Sequence, residues 1–324
     1  GAPYEDPALL AVALHEAARE AGIGLTLLVA GRLTGGFDGS PLKGHDRRSF
    51  LSPDGVVRML ERLRRVFGDD PERRLGLGIP SLGNLPVERI GELVAALEDP
   101  DPHAPIQVQL AADPADPRLC RAVHGSGPLA LLERHIALDG RWCLVHVNGL
   151  EAGERARLQA LDAVVAFTPD CADRDAPETA GLAARLPRIA SGSDGGETPD
   201  PAARLRDLRR LLQAGDRAEG SVDGTGLLGR ILAGGAQASG RAVGRLAPGF
   251  RADLVHLDPT HPLFAAATPD DVLDIWLSAT SRQPFVRDVM VGGIWQVRHG
   301  RHAAEERAFE GFRQVRGRVL GDPP

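Results

Sequence analysis

Residues 188–200, RIASGSDGGETPD, read as a short buried strand that runs into Ser193-Asp194 and breaks on Gly195-Gly196. A carboxylate at the C-terminal lip of such a strand is where many barrel enzymes place a metal ligand, and a metal held there activates water for hydrolysis. The loop after Asp194 supplies glycine, glutamate, threonine and proline but no histidine. One carboxylate leaves most of a zinc ion's coordination to water. Asp194 is therefore a metal ligand only if other elements bring donors to it. Otherwise it caps the following segment or accepts backbone N–H bonds at the strand end.

The other chemistry-bearing residues are few. His146 lies within the apolar run CLVHV, where the ordinary reading is a core histidine with its hydrogen bonds satisfied. Cys143 stands three residues earlier, and a strand alternates its faces, so a thiol–imidazole pair built from these two is disfavoured. Arg47 and Arg48, in GHDRRSF, suit bidentate capture of a carboxylate or a solvated loop face. His45 beside them has no partner in the sequence and receives no role. His299 and His302, in VRHGRHA, read as surface residues of a terminal hairpin.

These residues need a scaffold, and the hydrophobic pattern describes one. Strand-like runs IGLTLLVA, RLGLGIP, APIQVQLAA, RWCLVHV, AVVAFTP and RIASGSD alternate with helical stretches such as SPDGVVRMLERLRRVFG and PVERIGELVAALED. Continuous apolar runs mark strands buried on both faces. Six strand–helix repeats with short connections predict a parallel sheet wound with helices. A closed (β/α) barrel has eight strands, so the expectation is a barrel without its first two. The open doubly wound alternative lacks a Gly-rich phosphate loop; GRLTGGFDGS comes nearest, but no helix starts after its glycines. Beyond residue 200 two helices are followed by strand-like pieces around Gly292-Gly293, which read as a hairpin, and by an amphipathic helix, EERAFEGFRQVRGRVL.

Composition narrows the partners. Of the 324 residues, 43% are hydrophobic, enough for a sizeable core, and the net charge of -6 is spread without a basic stripe for nucleic acid. No apolar run reaches transmembrane length. Cys120, Cys143 and Cys171 are an odd, widely spaced set, as expected of a reduced, cytoplasmic protein. The chain opens Gly1-Ala2-Pro3 without methionine or a signal-peptide pattern, which suggests that the natural sequence was cut.

The segments GRLAPGFRADLVHLDPTHP and VRDVMVGGIWQVRHGRHA resemble the C-terminal end of the amidohydrolase superfamily. GIGLTLL, GGFDGSPLKGHDRRSF, RWCLVH and LAGGAQASGR are similar, at matching spacing, to the formimidoylglutamate deiminases within it. The resemblance implies an α/β fold with a (β/α)8 TIM-type barrel over residues 1–240, lacking two strands in this chain, and a β-sandwich part with the terminal helix over residues 241–324. It implies hydrolysis of N-formimidoyl-L-glutamate to N-formyl-L-glutamate and ammonia in histidine degradation, by a zinc-activated water and a base that shuttles its proton.

The same resemblance exposes departures. The family's His-x-His pair of the first strand is absent. Where its fifth strand carries His-x-His-x-x-Glu, this chain has Gln107, Gln109 and Ala112. The histidine-x-x-histidine of the sixth strand becomes His146 and Gly149. Pro80 replaces a histidine before the matching Ser81-Leu82, Arg32 stands in for a tyrosine-bearing loop, and Gly196 follows the retained Asp194. A carboxamide is a poor zinc ligand beside imidazole, and alanine moves no proton. The expectation is an amidohydrolase-like protein without zinc and impaired in the family reaction. The alternative is an active C–N hydrolase with a rebuilt or metal-free site. Arg47, Arg48, Ser81 and His146 are the candidate substrate contacts, and Asp194 the residual catalytic or metal residue. A small-molecule ligand and a homo-oligomer are compatible with this reading; nucleic acid and membrane are not expected.

Overall fold

The computed structural model describes residues 6–111, 113–168, 177–193, 200–215 and 223–321. Helices and strands alternate from the start: α1 (Leu9–Glu20), β1 (Leu25–Ala30), α2 (Pro53–Phe67), β2 (Arg73–Ile79), α3 (Val87–Glu98) and β3 (Ile106–Gln109). Then come α4 (Asp116–His124), α5 (Pro128–Glu133), β4 (Trp142–Val145), α6 (Ala152–Ala160), β5 (Val164–Phe167), α7 (Pro177–Arg185) and β6 (Ile189–Ser191). The six strands form one parallel sheet in sequence order, β1 to β6.

Local chemistry sets the helix starts. Ser52 caps α2, its hydroxyl accepting the Gly55 N–H at 3.2 Å, and Pro53 follows at the position where its missing N–H costs nothing. Glu151 and Glu154 form a capping box on α6. The Glu154 carboxylate, almost fully buried, also accepts the N–H groups of Leu129 and Ala130 at 3.1 and 3.2 Å. One buried acid thus satisfies the orphan donors of two successive helices.

The pleat sorts the strand residues into two sets. Leu77 and Ile79 of β2, Ile106 and Val108 of β3, Trp142 and Leu144 of β4, Val165 and Phe167 of β5 and Ile189 of β6 join the helices in the main core. Cys143, Val145, Val164, Ala166 and Ala190 form a separate inner cluster. Small or polar residues on this side leave space; large ones on the other bind the helices.

Two further helices follow, α8 (Pro201–Gly215) and α9 (Gly224–Ser239). Helix α9 connects the outer strands of the sheet. At its β6 side, Gly234 lies so close to Ile189 that a Cβ would stand 2.2 Å from the Ile189 carbonyl oxygen. At its C-terminal end the Ser239 carbonyl accepts the Thr26 hydroxyl of β1 at 2.8 Å. Between them Gln237 donates to the carbonyls of Gly140 and Asp162, just ahead of β4 and β5, at 2.8 and 2.6 Å.

The remaining chain forms β7 (Leu254–Leu257), α10 (Asp271–Trp276), β8 (Val286–Val291), β9 (Ile294–Arg298), β10 (Arg301–His302) and α11 (Glu305–Leu320). The four strands make an antiparallel sheet in the order β10-β9-β8-β7. The β8–β9 hairpin turns on Gly292 and Gly293, with φ of +56° and +84°, the paired left-handed geometry for which two-residue hairpins select glycine. Glu72, which precedes β2, pairs with Arg241 and Arg251 and so ties this region to the parallel sheet. Asp288 accepts from His256 and the His299 N–H, both at 2.8 Å, and the His256 contact first of all holds its carboxyl below the usual carboxylate range. His302 donates to the Ala21 carbonyl at 3.0 Å, linking β10 to the end of α1. No helix among the described residues is long and apolar enough to cross a membrane.

The close seat of α9 on β6 yields a test with two signs. Gly234→Ala is expected to destabilise the protein by about 1–3 kcal/mol, because the methyl must push the helix off Ile189. Gly229→Ala, in the same helix with nothing within 4 Å of the added carbon, is expected to stabilise by about 1 kcal/mol. Urea unfolding of the two variants checks both; equal shifts would refute the close packing.

Candidate functional site

On the inner side of the parallel sheet lies a cavity of about 310 Å³. Gln107 and Gln109, two apart on β3, both face it, as the pleat requires. Neither carboxamide makes a hydrogen bond to another described residue. Cys143 and Val145 of β4, Ala166 of β5 and Ala190 of β6 supply its apolar wall, and α9 closes it with Gly235, Ala238 and Ser239.

At the C-terminal ends of the strands the rim is polar. His146 directly follows β4, is buried, and has φ of +53°. A non-glycine residue in this region carries strain that surrounding structure must hold. The neighbouring chain does so: the His146 carbonyl accepts the Ala111 N–H at 3.0 Å, one step beyond the Leu110-to-Val145 bond of 2.9 Å. Gly149 also has a positive φ, +67°, and the intervening Asn148 accepts the Thr179 hydroxyl at 3.0 Å. Thr168, Ser191, Gly192 and Ser193 also line the rim, and the buried Ser191 Oγ has no hydrogen-bond partner among the described residues.

The structure separates the residues nominated from sequence. His146 lines the cavity beside Gln107, Gln109 and Cys143. Ser81 is buried outside it, its hydroxyl accepting the Gly83 N–H at 3.2 Å to cap the short turn Leu82–Asn84. Arg47 and Arg48 are exposed on the 3-10 turn Gly44–Ser49, where Arg47 donates to the Leu42 carbonyl at 3.2 Å. Arg32 pairs with Asp46 of that turn at 3.0 Å. Asp194, Gly196, Ala112, Cys171 and the His45 side chain lie outside the described residues. Thr168 and Ser191 escaped the sequence reading; Thr168 stands two residues after the inward Ala166 and Ser191 directly after the inward Ala190, and hydroxyls at such places are common at ordinary strand ends.

Zinc is held by imidazole, thiolate or carboxylate. The cavity wall offers His146 and Cys143, and burial pushes the Cys143 thiol up to about 12, away from the thiolate that binds metal. Among the described residues no group of three or more histidines, cysteines, aspartates and glutamates is placed to hold an ion. The described donors do not fit zinc. Nor does a carboxylate line the described cavity, and a carboxamide is no general base.

A scan against protein-family models gives no match. The chain is 36% identical, over 331 aligned residues, to the formimidoylglutamate deiminase of Pseudomonas aeruginosa, covering 99% of this chain and 72% of that enzyme. Among solved structures it superposes with a TM-score of 0.84 and 27% identity on an amidohydrolase from Brucella melitensis, over 98% of this chain and 71% of the other. A zinc-bound adenosine deaminase from Xanthomonas campestris shares the fold, with a TM-score of 0.76 at 19% identity over 94% of this chain and 68% of that one.

The thiols give a direct check of the cavity wall. Burial, aided at Cys120 by the Glu154 charge, pushes Cys120 and Cys143 both up to about 12. At pH 8 the native protein should leave both cysteines unlabelled by iodoacetamide, and urea should expose them. Rapid native labelling of Cys143, read by peptide mass spectrometry, would show an activated thiol instead.

Proposed function

The chain belongs to the formimidoylglutamate deiminase family of the amidohydrolases, and from that premise we propose that it keeps the family's scaffold and cavity but not the family's zinc-assisted hydrolysis. The observation that carries this reading is the chemistry of β3. Its two inward residues are Gln107 and Gln109, so the strand presents carboxamides to the cavity. His146 remains, but one imidazole with neutral amides and hydroxyls is a weak donor set for a divalent ion. The six parallel strands are read as six strands of a (β/α)8-type barrel, and the antiparallel sheet with α11 as an associated β-rich part; the extended superposition on the Brucella amidohydrolase supports the first assignment.

In the family reaction, water adds to the formimidoyl carbon, the carbon–nitrogen bond breaks, and the departing nitrogen leaves as ammonia, which requires proton transfer from the water to that nitrogen. A positioned base contributes roughly 10²–10⁴-fold to such a step. Among the described side chains of the cavity only His146 is of a type that serves as such a base, and its buried, strained position suits wall-building. The cavity therefore serves as a binding site for a small molecule in a cytoplasmic protein.

Two readouts on zinc-loaded, dialysed protein test the proposal: metal content, and ammonia release from N-formimidoyl-L-glutamate. The expected result is zinc well below stoichiometry and no release above the uncatalysed rate. Stoichiometric zinc with turnover would contradict it. Ammonia release that survives chelation would instead support a metal-free hydrolase with a rebuilt site.

A further inference from the structure

Gln107 and Gln109 stand two residues apart on β3, roughly 7 Å along the strand, so one small molecule in the cavity can reach both. Neither carboxamide bonds another described residue. Their strand neighbours explain why. Gly78 of β2, in register with Gln107, has no side chain to offer, and on the other side Cys143 of β4 brings only a thiol, a weak donor and acceptor. From Gln109 the register runs through Val145 and Ala166 to Ala190, three small apolar side chains that line the same cavity. The described wall is thus a low apolar surface bordered by two amides. Among the described residues no lysine, arginine, aspartate or glutamate lines it. Its volume, about 310 Å³, is at the small end for ligand sites.

We propose that this cavity takes an uncharged ligand with an amide-type head group (a primary amide, lactam or urea) on a small, flat apolar body. The inference rests on the reading that zinc-assisted hydrolysis is absent, since a bound metal would select a different head group. Each glutamine carries an acceptor oxygen and an NH2 with two donors. A carboxylate only accepts, so it would leave both glutamine oxygens without a donor. An amidinium only donates, so it would leave both amino groups to face donors. An amide, lactam or urea does both, and satisfies oxygen and nitrogen together through two parallel bonds. Charge sharpens the contrast, because burying an ion without a counter-ion is costly and the described wall has no carboxylate, lysine or arginine to pair it. Val145, Ala166 and Ala190 then cover the apolar body beside the head group.

Benzamide, benzoate and benzamidine share one planar body and differ in a neutral, anionic or cationic head group. Their binding to the full chain, titrated by saturation-transfer NMR at neutral pH with a chelator present, tests the proposal. Benzamide is expected to bind, and benzoate and benzamidine each to bind at least roughly tenfold more weakly. Gln107→Leu and Gln109→Leu keep the bulk but remove the bonds, and each should weaken benzamide by roughly tenfold. Gln109→Glu, which keeps the shape and adds a charge, should reverse the order in favour of benzamidine. Wild-type protein that binds no benzamide, that binds either charged analogue as tightly, or whose affinity for benzamide survives both leucine variants overturns the proposal. Stoichiometric zinc with ammonia release defeats the underlying reading, whereas a wrong head-group preference in the chelated protein defeats this one alone.

Discussion

Along β2 to β6 every second side chain turns toward the helices, and those positions hold Leu77, Val108, Leu144, Val165 and Ile189, each nearly or wholly excluded from water. Burying side chains of this size stabilises by about 1.5–3 kcal/mol each. The pleat then leaves no freedom to the residues between them: Gly78, Gln107, Cys143, Ala166 and Ala190 must face the other way. A one-residue slip in any strand would exchange the two sets, and in β3 it would drive glutamine into the main core. The register that builds the core is therefore the register that writes the cavity wall.

From this constraint the character of the site follows. The inward positions carry small, apolar or amide side chains, so among the described residues the cavity has volume and hydrogen-bonding capacity but few metal donors. Helix α9 completes it from beneath, with Gly234 allowing contact with β6 and Ser239 reaching β1. His146 is held at the rim by backbone bonds to its own carbonyl and to that of Val145, in a conformation that its own preferences oppose. Scaffold and chemistry are separable here: membership of a hydrolase family rests on the whole chain, whereas hydrolysis would rest on a few inward residues.

Much of this was legible in the amino-acid sequence, for identifiable reasons. The six strands stood out as apolar runs because parallel strands are buried on both faces, and α2 because Ser52 and Pro53 announce its start. Helix α4 was passed over: DPRLCRAVH buries only Pro117 and Cys120, so it shows no sustained apolar stripe. The hairpin at Gly292-Gly293 was legible because only glycine takes that turn at no steric cost. At the site, Gln107 and Gln109 were read from alignment of motifs, and strand periodicity places them inward. The burial of Ser81 in a turn cap and the exposure of Arg47 and Arg48 depend on how loops return over the strand ends, which local pattern does not encode. The same is true of the left-handed backbone at His146, where a tertiary contact overrides a residue preference.

The central claim is one of coordination: the inward side chains of β3 and β4 do not make a zinc site. Anomalous diffraction at the zinc edge, from crystals grown with the metal in excess, tests it most directly. The account requires that no ordered zinc peak lie within bonding distance of Gln107, Gln109 or His146. A fully occupied peak at these strand ends, with His146 and neighbouring side chains completing a tetrahedral shell, would contradict it.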